Sequence, residues 1–478
     1  MKYYWTRFYL SYSQTIVYML QGSDYRPKQY LAWLHRSADF RQVAKRRQLD
    51  FTNKARLLLG ISWSILLATY LLVVVLLVQS LVLDSRLMAI LAFGLCAVSP
   101  LVVAYVIIIP IYIGHVTVQA PRQRRVIEAA RQIIAQHPAL KIAIAGSYGK
   151  TTAKEIFATV LGDAKRVAST PGNMNTMIGI SRFARSLDGH EDILIFELGE
   201  EKVGDVRQLC ELTQPDIGVI TGINEAHLSS FGTLDKTVST IFELADYLGN
   251  KPLYKNKESS LVASKIKSSD KLAFDRNGTA GWRVSKVKTD ITGMTFDIKS
   301  GHKTITAVTG LLGQHNIGVM AAAVAVADSV GLTKTQIGVA IKKTVPFEHR
   351  MQPRRLHGAW VIDDTYNGNS QGVQAGLLLL KDLVAKRRIY VTPGLVEQGD
   401  KSRQVHQKIG RQIAEVADVV VLMQNSVTDY ISAGLKDAGF SGRLLVVDNP
   451  LEFYTNLEHF VAAGDVVLMQ NDWTDNYA

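Results

Sequence analysis

The sequence predicts an α/β fold, two domains of mostly parallel strands, behind a two-helix transmembrane hairpin. Three observations carry that expectation. Two uncharged runs of 27 residues, Leu57–Leu83 and Leu87–Ile113, lie early in the chain. A short apolar run, a glycine turn and an apolar-spaced segment follow one another in KIAIAGSYGKTTAKEIFATVL (141–161). Near the C-terminus the apolar runs WVIDD, RIYVTPG, DVVVLM, RLLVVD and DVVLMQ are interleaved with helix-like stretches, the pattern of a Rossmann-like sheet.

Each 27-residue run exceeds the ~20 residues a helix needs to cross a bilayer, and only DSR (84–86) separates them. The outer flanks, RQVAKRRQLDFTNKAR (41–56) and PRQRR (121–125), are rich in Lys and Arg. By the positive-inside rule both ends of the hairpin, and everything after it, lie in the cytoplasm. Pro100 and Pro110 are expected to kink the second helix. The aromatic N-terminal stretch MKYYWTRFYLSYSQTIVYML fits either an interfacial helix or a packed cap on the soluble part.

The charge distribution agrees with a membrane setting. The 478-residue chain carries a net charge of +12, yet residues 1–125 alone hold 15 basic and 4 acidic residues, and the remainder 39 and 38. The excess sits beside the apolar runs, where anionic lipid headgroups account for it, and excludes a nucleic-acid face on the folded domains. Cys96 and Cys210 are the only cysteines, which excludes a disulfide framework and a cysteine metal site. A hydrophobic content of 47% with 20% charged residues excludes a disordered chain.

After the hairpin comes a P-loop-type strand–turn–helix. Gly146 and Gly149, flanking Ser147 in the turn, let backbone N–H groups approach phosphate oxygens, and the helix N-terminus adds its positive end. Lys150 is placed to reach the β- and γ-phosphates, and Thr151 or Thr152 to put a hydroxyl on Mg²⁺. The strict motif fails because residue 144 is Ile; the shorter GxxGKTT form remains. Further on, DILIFELGEE (192–201) delivers Glu197 at the end of a strand, and PDIGVITGINEAHLSSFG (215–232) delivers His227. Glu197 suits a hard cation; His227 is as well explained by a structural hydrogen bond as by metal ligation.

Six segments in chain order, GSYGKTT, GNMNTMIG, FELGEEKVGDV, ITGINEAHLSSFG, GQHNIGVMAAA and VIDDTYNGNS, resemble the Mur ligase family of ATP-dependent amide-forming enzymes. IDDTYNGN and the spacing of EAHLSSFG are most similar to the branch that adds D-Ala-D-Ala to a UDP-muramoyl-tripeptide, and TPGLVEQGDKSRQVH (392–406) resembles a C-terminal loop of that branch. The resemblance implies ATP and Mg²⁺ as cofactors and an acyl-phosphate intermediate. It implies that Lys150, Glu197 and His227 serve catalysis, with Thr151 and Glu197 on one Mg²⁺ and His227 helping a second. It also places Asn316 at the adenine and brings Arg350 and Asp364 across a domain junction to the nucleotide.

The chain departs from the family at four places. The lysine that the family carbamylates to bridge a second Mg²⁺ corresponds to Ile241, and an adenine-reading Asn corresponds to Val319. The chain ends VVLMQNDWTDNYA where that branch has a Lys-Gly-Ser loop, and the hairpin replaces a UDP-binding domain. The expected division is a membrane region 1–120, a central ATP-binding domain 121–345 and a C-terminal domain 346–478. The expected partners are a muramoyl-peptide precursor, UDP- or lipid-linked, an amino acid or dipeptide, and membrane lipids. The alternatives are a poly-γ-glutamate-type capsule synthetase and a nucleotide-binding scaffold without catalysis.

Overall fold

The computed structural model describes residues 4–8, 11–37, 40, 49–224, 231–268, 270–279, 281–366, 368–395, 398 and 401–471. The chain divides into two compact units, Met1–Arg125 and Val126–Ala478.

In the first unit, helices Asn53–Val82 and Arg86–Val106 form the hairpin, with Thr52 capping the first through the Ala55 N–H. Both helical segments are long and apolar enough to cross a membrane. Pro100 leaves its helix unbroken: its missing N–H frees the Cys96 carbonyl, which instead accepts from Ser99 Oγ at 2.8 Å. The break falls at Ile107, before the short helix Ile108–Gly114 that contains Pro110. Helices Tyr12–Gly22 and Pro27–Arg36 pack on the hairpin, burying Ile16, Leu20, Tyr30 and Leu34 with Leu58, Leu59, Ala104 and Ile107. Two buried polar pairs cross this contact: Tyr30 Oη donates to Ala104 O at 2.8 Å and Ser62 Oγ to Ser13 Oγ at 2.8 Å. Elsewhere the hairpin exposes its apolar side chains, Leu67, Leu71, Leu81 and Phe93 being 58–85% exposed. In water each such side chain forfeits roughly 1.5–3 kcal/mol relative to burial.

The second unit contains two sheets. Strands β1 (Leu140–Ala145), β2 (Val167–Ser169), β3 (Ile193–Glu197), β4 (Ile217–Ile220), β5 (Leu253–Asn256), β6 (Ala273–Asp275), β7 (Gly278–Thr279), β8 (Trp282–Asp290), β9 (Gly293–Ser300) and β10 (Lys303–Thr309) make the larger. Their order is β10-β9-β8-β7-β6-β5-β4-β1-β3-β2, parallel from β2 to β6 and antiparallel from β6 to β10. The central strands are continuous apolar runs because helices cover both faces. Helices Lys150–Gly162 and His315–Ser329 lie on one face, and Asp205–Thr213 and Leu234–Leu248 on the other. The chain leaves β1 toward β2 and β3 and crosses back to β4 on the other side. That switch opens a crevice at the C-terminal ends of β1, β3 and β4.

The second sheet holds β11 (Gln352–Leu356), β12 (Ala359–Asp364), β13 (Arg388–Thr392), β14 (Val419–Met423), β15 (Arg443–Val447) and β16 (Val466–Gln470) in the order β11-β12-β16-β13-β14-β15. All neighbours are parallel except β11 with β12. The five apolar runs named above are its five parallel strands. Register in β12 and β16 sets Asp364 opposite Gln470.

Candidate active site

The glycine turn is built against the end of β4. At Gly146 (φ +149°) a Cβ would stand 2.2 Å from Thr221 Oγ1 and 2.9 Å from Gly222 O, so no side chain fits. Ser147 N–H donates to Gly222 O at 2.7 Å, and Thr221 Oγ1 donates to Tyr148 O at 2.6 Å. Gly149 (φ +76°) caps helix Lys150–Gly162 in the left-handed region. The Ser147 N–H therefore pins the loop, and the donors left for a phosphate are those of the first helical turn, beginning at Lys150, Thr151 and Thr152.

Lys150 Nζ donates to Gly146 O and to both carboxylate oxygens of Glu200, at 3.2 and 2.9 Å. Glu197, 1% exposed at the end of β3, accepts from Asn175 Nδ2 through Oε1 at 3.0 Å. Its Oε2 is buried without a hydrogen-bond partner. The nearest cation to it is the fully buried Lys154, whose Nζ stands 3.7 Å away and donates to the carbonyls of Thr170 and Gly172 at 2.7 and 2.5 Å. A buried carboxylate oxygen without a donor is the kind of ligand an oxygen-seeking divalent cation takes. Glu197 and the hydroxyls of Thr151 and Thr152 thus fit Mg²⁺ by their chemistry. Among the described residues no three His, Cys, Asp or Glu side chains gather as a metal site. His227 lies outside the described residues.

A cavity of about 370 Å³ opens between the two sheets. Gly149, Thr152, Asn316 and Val319 line it from one side and Arg350 and Asp364 from the other, while Gly146, Ser147, Lys150, Thr151 and Glu197 are not on its wall. Asn316 is held by its own bond to Leu312 O at 2.8 Å. Arg350 stacks over the Tyr366 ring, 4.6 Å from its centroid. Asp364 accepts from Met351 N–H (3.2 Å) and Gln470 Nε2 (2.7 Å). Burial pushes its carboxyl up to about 7 against these stabilising contacts. Gln470 is fixed in turn, accepting from Tyr390 Oη at 2.8 Å and donating to Gly372 O at 2.8 Å. Burial lowers His315, on the same wall, to about 4, so it is neutral at pH 7.

Ile241 is fully buried among Val238, Leu244 and Leu248, and the neighbouring Glu243 caps helix Asp205–Thr213 through the N–H groups of Gly204 and Arg207. Sequence reasoning did not single out Glu200, Lys154 or Gln470. The signals were present: Glu200 follows Glu197 by three positions, and Lys154 lies one turn beyond Lys150, a lysine in an otherwise apolar helix face.

Residues 144–327 match the Mur ligase middle domain, and 349–470 the Mur ligase glutamate ligase domain. Similar curated proteins are UDP-N-acetylmuramoyl-tripeptide–D-alanyl-D-alanine ligases. That of Haemophilus influenzae is 28% identical over 315 residues, covering 64% of this chain and 68% of its own length. That of Mycobacterium tuberculosis is 29% identical over 281 residues, covering 56% and 55%. The chain spans about half to two thirds of the length of the relatives it matches. Among solved structures, MurF from Acinetobacter baumannii superposes with a TM-score of 0.64 at 22% identity, over 73% of this chain and 77% of that one. MurF from Thermotoga maritima in complex with ADP gives 0.62 at 23%, over 73% and 80%.

Proposed function

The chain belongs to the Mur ligase family, and from that premise we propose that it is an ATP-dependent amide ligase that adds D-Ala-D-Ala to a muramoyl-peptide. The observation that carries this reading is the partnerless Glu197 oxygen beside a glycine turn whose helix opens on the cavity between two sheets. Lys150 and the first-turn N–H groups bind the phosphates and neutralise their charge. Arg350 and Asp364 close the cavity from the C-terminal sheet. In the first step a substrate carboxylate oxygen attacks the γ-phosphorus, the bond to the β-phosphate oxygen breaks, and ADP leaves behind an acyl phosphate. In the second the amine of the dipeptide attacks the acyl carbon, the C–O bond to phosphate breaks, and the amine loses a proton as the amide forms. No protein nucleophile is needed, since positioning and electrostatics supply most of the rate. Glu197 and a threonine hydroxyl would hold Mg²⁺, which when bound would supply charge neutralisation at the phosphates.

The hairpin, on this reading, anchors the enzyme in a membrane with both ends cytoplasmic. Its support is the length of the two helices, their exposed apolar side chains and the basic flanks. The acceptor is then a UDP-linked or a lipid-linked precursor presented at that surface. The test is ATP turnover by the full chain in detergent, with UDP-muramoyl-tripeptide and D-Ala-D-Ala present singly and together, product mass being read in parallel. ADP release that needs both substrates, with a product heavier by the dipeptide minus water, is expected. Turnover only with a lipid-linked acceptor moves the substrate to the membrane, and turnover with glutamate polymers selects the capsule synthetase. Nucleotide binding that never leads to turnover, with Lys150→Ala retaining biological activity, selects the scaffold.

A further inference from the structure

Strand β16 lies between β12 and β13, buried along its whole length, and ends on its one polar side chain, Gln470. A buried amide costs stability unless its groups are paired. Gln470 is 1% exposed, and its pairing is dictated by one partner. Gly372 O can only accept, so the amide nitrogen must face it, at 2.8 Å. The amide oxygen is thereby turned to Tyr390 Oη, which donates to it at 2.8 Å. The second N–H is left for Asp364 Oδ2, 2.7 Å away. The amide cannot be reversed without losing all three bonds.

The support stands behind the cavity wall and the supported group stands on it. Asp364, Gln470 and Gly372 line the cavity, whereas Tyr390 is fully buried and is not on its wall. A Cβ at Gly376 would come within 2.5 Å of Gln470 Nε2, so a side chain there would displace the amide. A carboxylate has about four acceptor positions. Gln470 and the Met351 N–H take one on each oxygen of Asp364. What remains on each oxygen is available to a ligand in the cavity. Met351 directly follows Arg350 and stands at φ +47°, a conformation costly for a residue with a side chain. The Asp364 carboxylate thus also holds the backbone beside Arg350.

We propose that Gln470 is the positioning residue of Asp364: held by Tyr390 and Gly372, it fixes the carboxylate in the orientation that meets the nucleotide. The inference rests on the reading of this cavity as the nucleotide site. Gln470→Met removes the bond to Asp364, and ADP then binds about tenfold more weakly, the worth of one hydrogen bond to a charged group. That loss acts through Asp364. Once Asp364 is Asn, the charge that the bond serves is gone and the new N–H₂ opposes one of its two donors. Gln470→Met then costs no further affinity.

The experiment is calorimetric titration of ADP with excess MgCl₂ into the full chain in detergent, for the wild type, Gln470→Met, Asp364→Asn and the double variant. Gln470→Met is expected to bind about tenfold more weakly than the wild type, and the double variant no more weakly than Asp364→Asn. Equal loss in both backgrounds marks a purely structural amide and overturns the assignment. Unchanged affinity in Gln470→Met, or in Asp364→Asn, overturns it as well. If Gln470→Met does not fold, Tyr390→Phe takes its place. It removes one hydroxyl away from the wall, and is expected to weaken ADP about threefold with Asp364 present and not at all with Asn. A series from pH 5 to 9 adds a readout that packing does not move. The charged and titratable groups that bear on Asp364, among the described residues, are Arg350, Asp363 and Tyr390. The Gln470 bond favours the ionised carboxylate, so its loss moves the pH dependence of ADP affinity upward, each profile being taken relative to its Asp364→Asn counterpart. A profile that stays in place overturns the assignment. A wild type that binds no ADP overturns the nucleotide reading itself, so the two failures are distinguishable.

Discussion

Asp364→Asn offers a test of the cavity wall that does not depend on turnover. Burial holds the Asp364 carboxyl up to about 7, against 3.8 in an unfolded chain. Between those values the folded protein keeps a proton that the unfolded chain has released. Stability therefore rises as pH falls through that window, and is lost as pH rises through it. At ~1.4 kcal/mol per pH unit the interval corresponds to a ceiling of about 4 kcal/mol. The carboxyl borders the cavity rather than a closed core, and cavity water lowers the figure to a working expectation of about 2 kcal/mol. The substitution removes the titration. It also sets an amide N–H₂ against one of two donors, the Met351 N–H or Gln470 Nε2, and the latter cannot turn over without breaking its bonds to Tyr390 Oη and Gly372 O. The measurement is urea-dependent hydrogen exchange of peptides spanning β12 and β16 between pH 4 and 8, wild type against variant, without nucleotide. The advantage of the wild type should grow by about 2 kcal/mol from pH 8 to pH 4. Parallel profiles across that range would refute the buried-carboxyl argument, and a growing advantage toward high pH would reverse its sign.

Gly146→Ala drives a methyl into Thr221 Oγ1 and the Gly222 carbonyl, and should weaken ADP binding at least about 100-fold in equilibrium titration, with circular dichroism unchanged. Ile241→Lys, which restores the residue type of the related enzymes, should not raise turnover and should lower stability by about 5 kcal/mol in a denaturant melt, because the side chain enters a closed apolar cluster. His406 accepts the Leu395 N–H at 2.9 Å and donates to Ser402 O at 2.6 Å, and burial lowers its proton affinity. The unfolded chain then binds the extra proton, so the contribution of His406 is present above pH ~6.5 and lost as pH falls below it. In exchange from β13, the wild-type advantage over His406→Ala should shrink below pH 6, opposite in sign to Asp364.

What the sequence made legible follows from which interactions are local. Run length gave the hairpin, because a helix in lipid satisfies its own backbone and needs only apolar side chains. Buried parallel strands are legible as β1, β3 and β4, and a polar residue ending such a run, Glu197, stands at the strand ends, where the site lies. The two prolines look equivalent in the sequence, yet the helix runs unbroken through Pro100, where Ser99 Oγ takes the freed Cys96 carbonyl, and breaks at Ile107, less than a turn before Pro110. The N-terminal stretch fits an interface or a cap equally by composition, and its Tyr12, Ile16 and Leu20 pack against the hairpin. Glu200 in a Glu-Glu pair reads as solvated charge, and the apolar helix face around Lys154 does not disclose the carbonyls of Thr170 and Gly172 that receive it. Their burial depends on how strands and loops meet. The Asp364–Gln470 bond joins residues 106 apart in the chain, through a strand register that no local pattern encodes.

The departures from the related enzymes bear on whether the site still works. A site decaying into a scaffold leaves unsatisfied groups where its residues have been replaced, because their former partners remain. Around Ile241 the picture is mixed: Ile241 fills an apolar cluster, but Thr237 Oγ1, one turn before it on the same helix, is buried without a hydrogen-bond partner. On the C-terminal sheet Gln470 makes three hydrogen bonds with both its polar atoms engaged. Among the described residues, two side-chain atoms without a hydrogen-bond partner fall in the phosphate region, Glu197 Oε2 and Ser147 Oγ. Both lie where a cation or a phosphate belongs, and keeping a buried carboxylate oxygen unpaired costs stability that packing alone would remove. Lys154 offsets part of that cost without donating a hydrogen bond, which leaves the oxygen open to a ligand. Open groups at Glu197 Oε2 and Ser147 Oγ are those expected of a site that binds and releases a metal–nucleotide complex. The turn so retains the chemistry of nucleotide binding that the ligase and the nucleotide-binding scaffold share, and turnover is what separates the two.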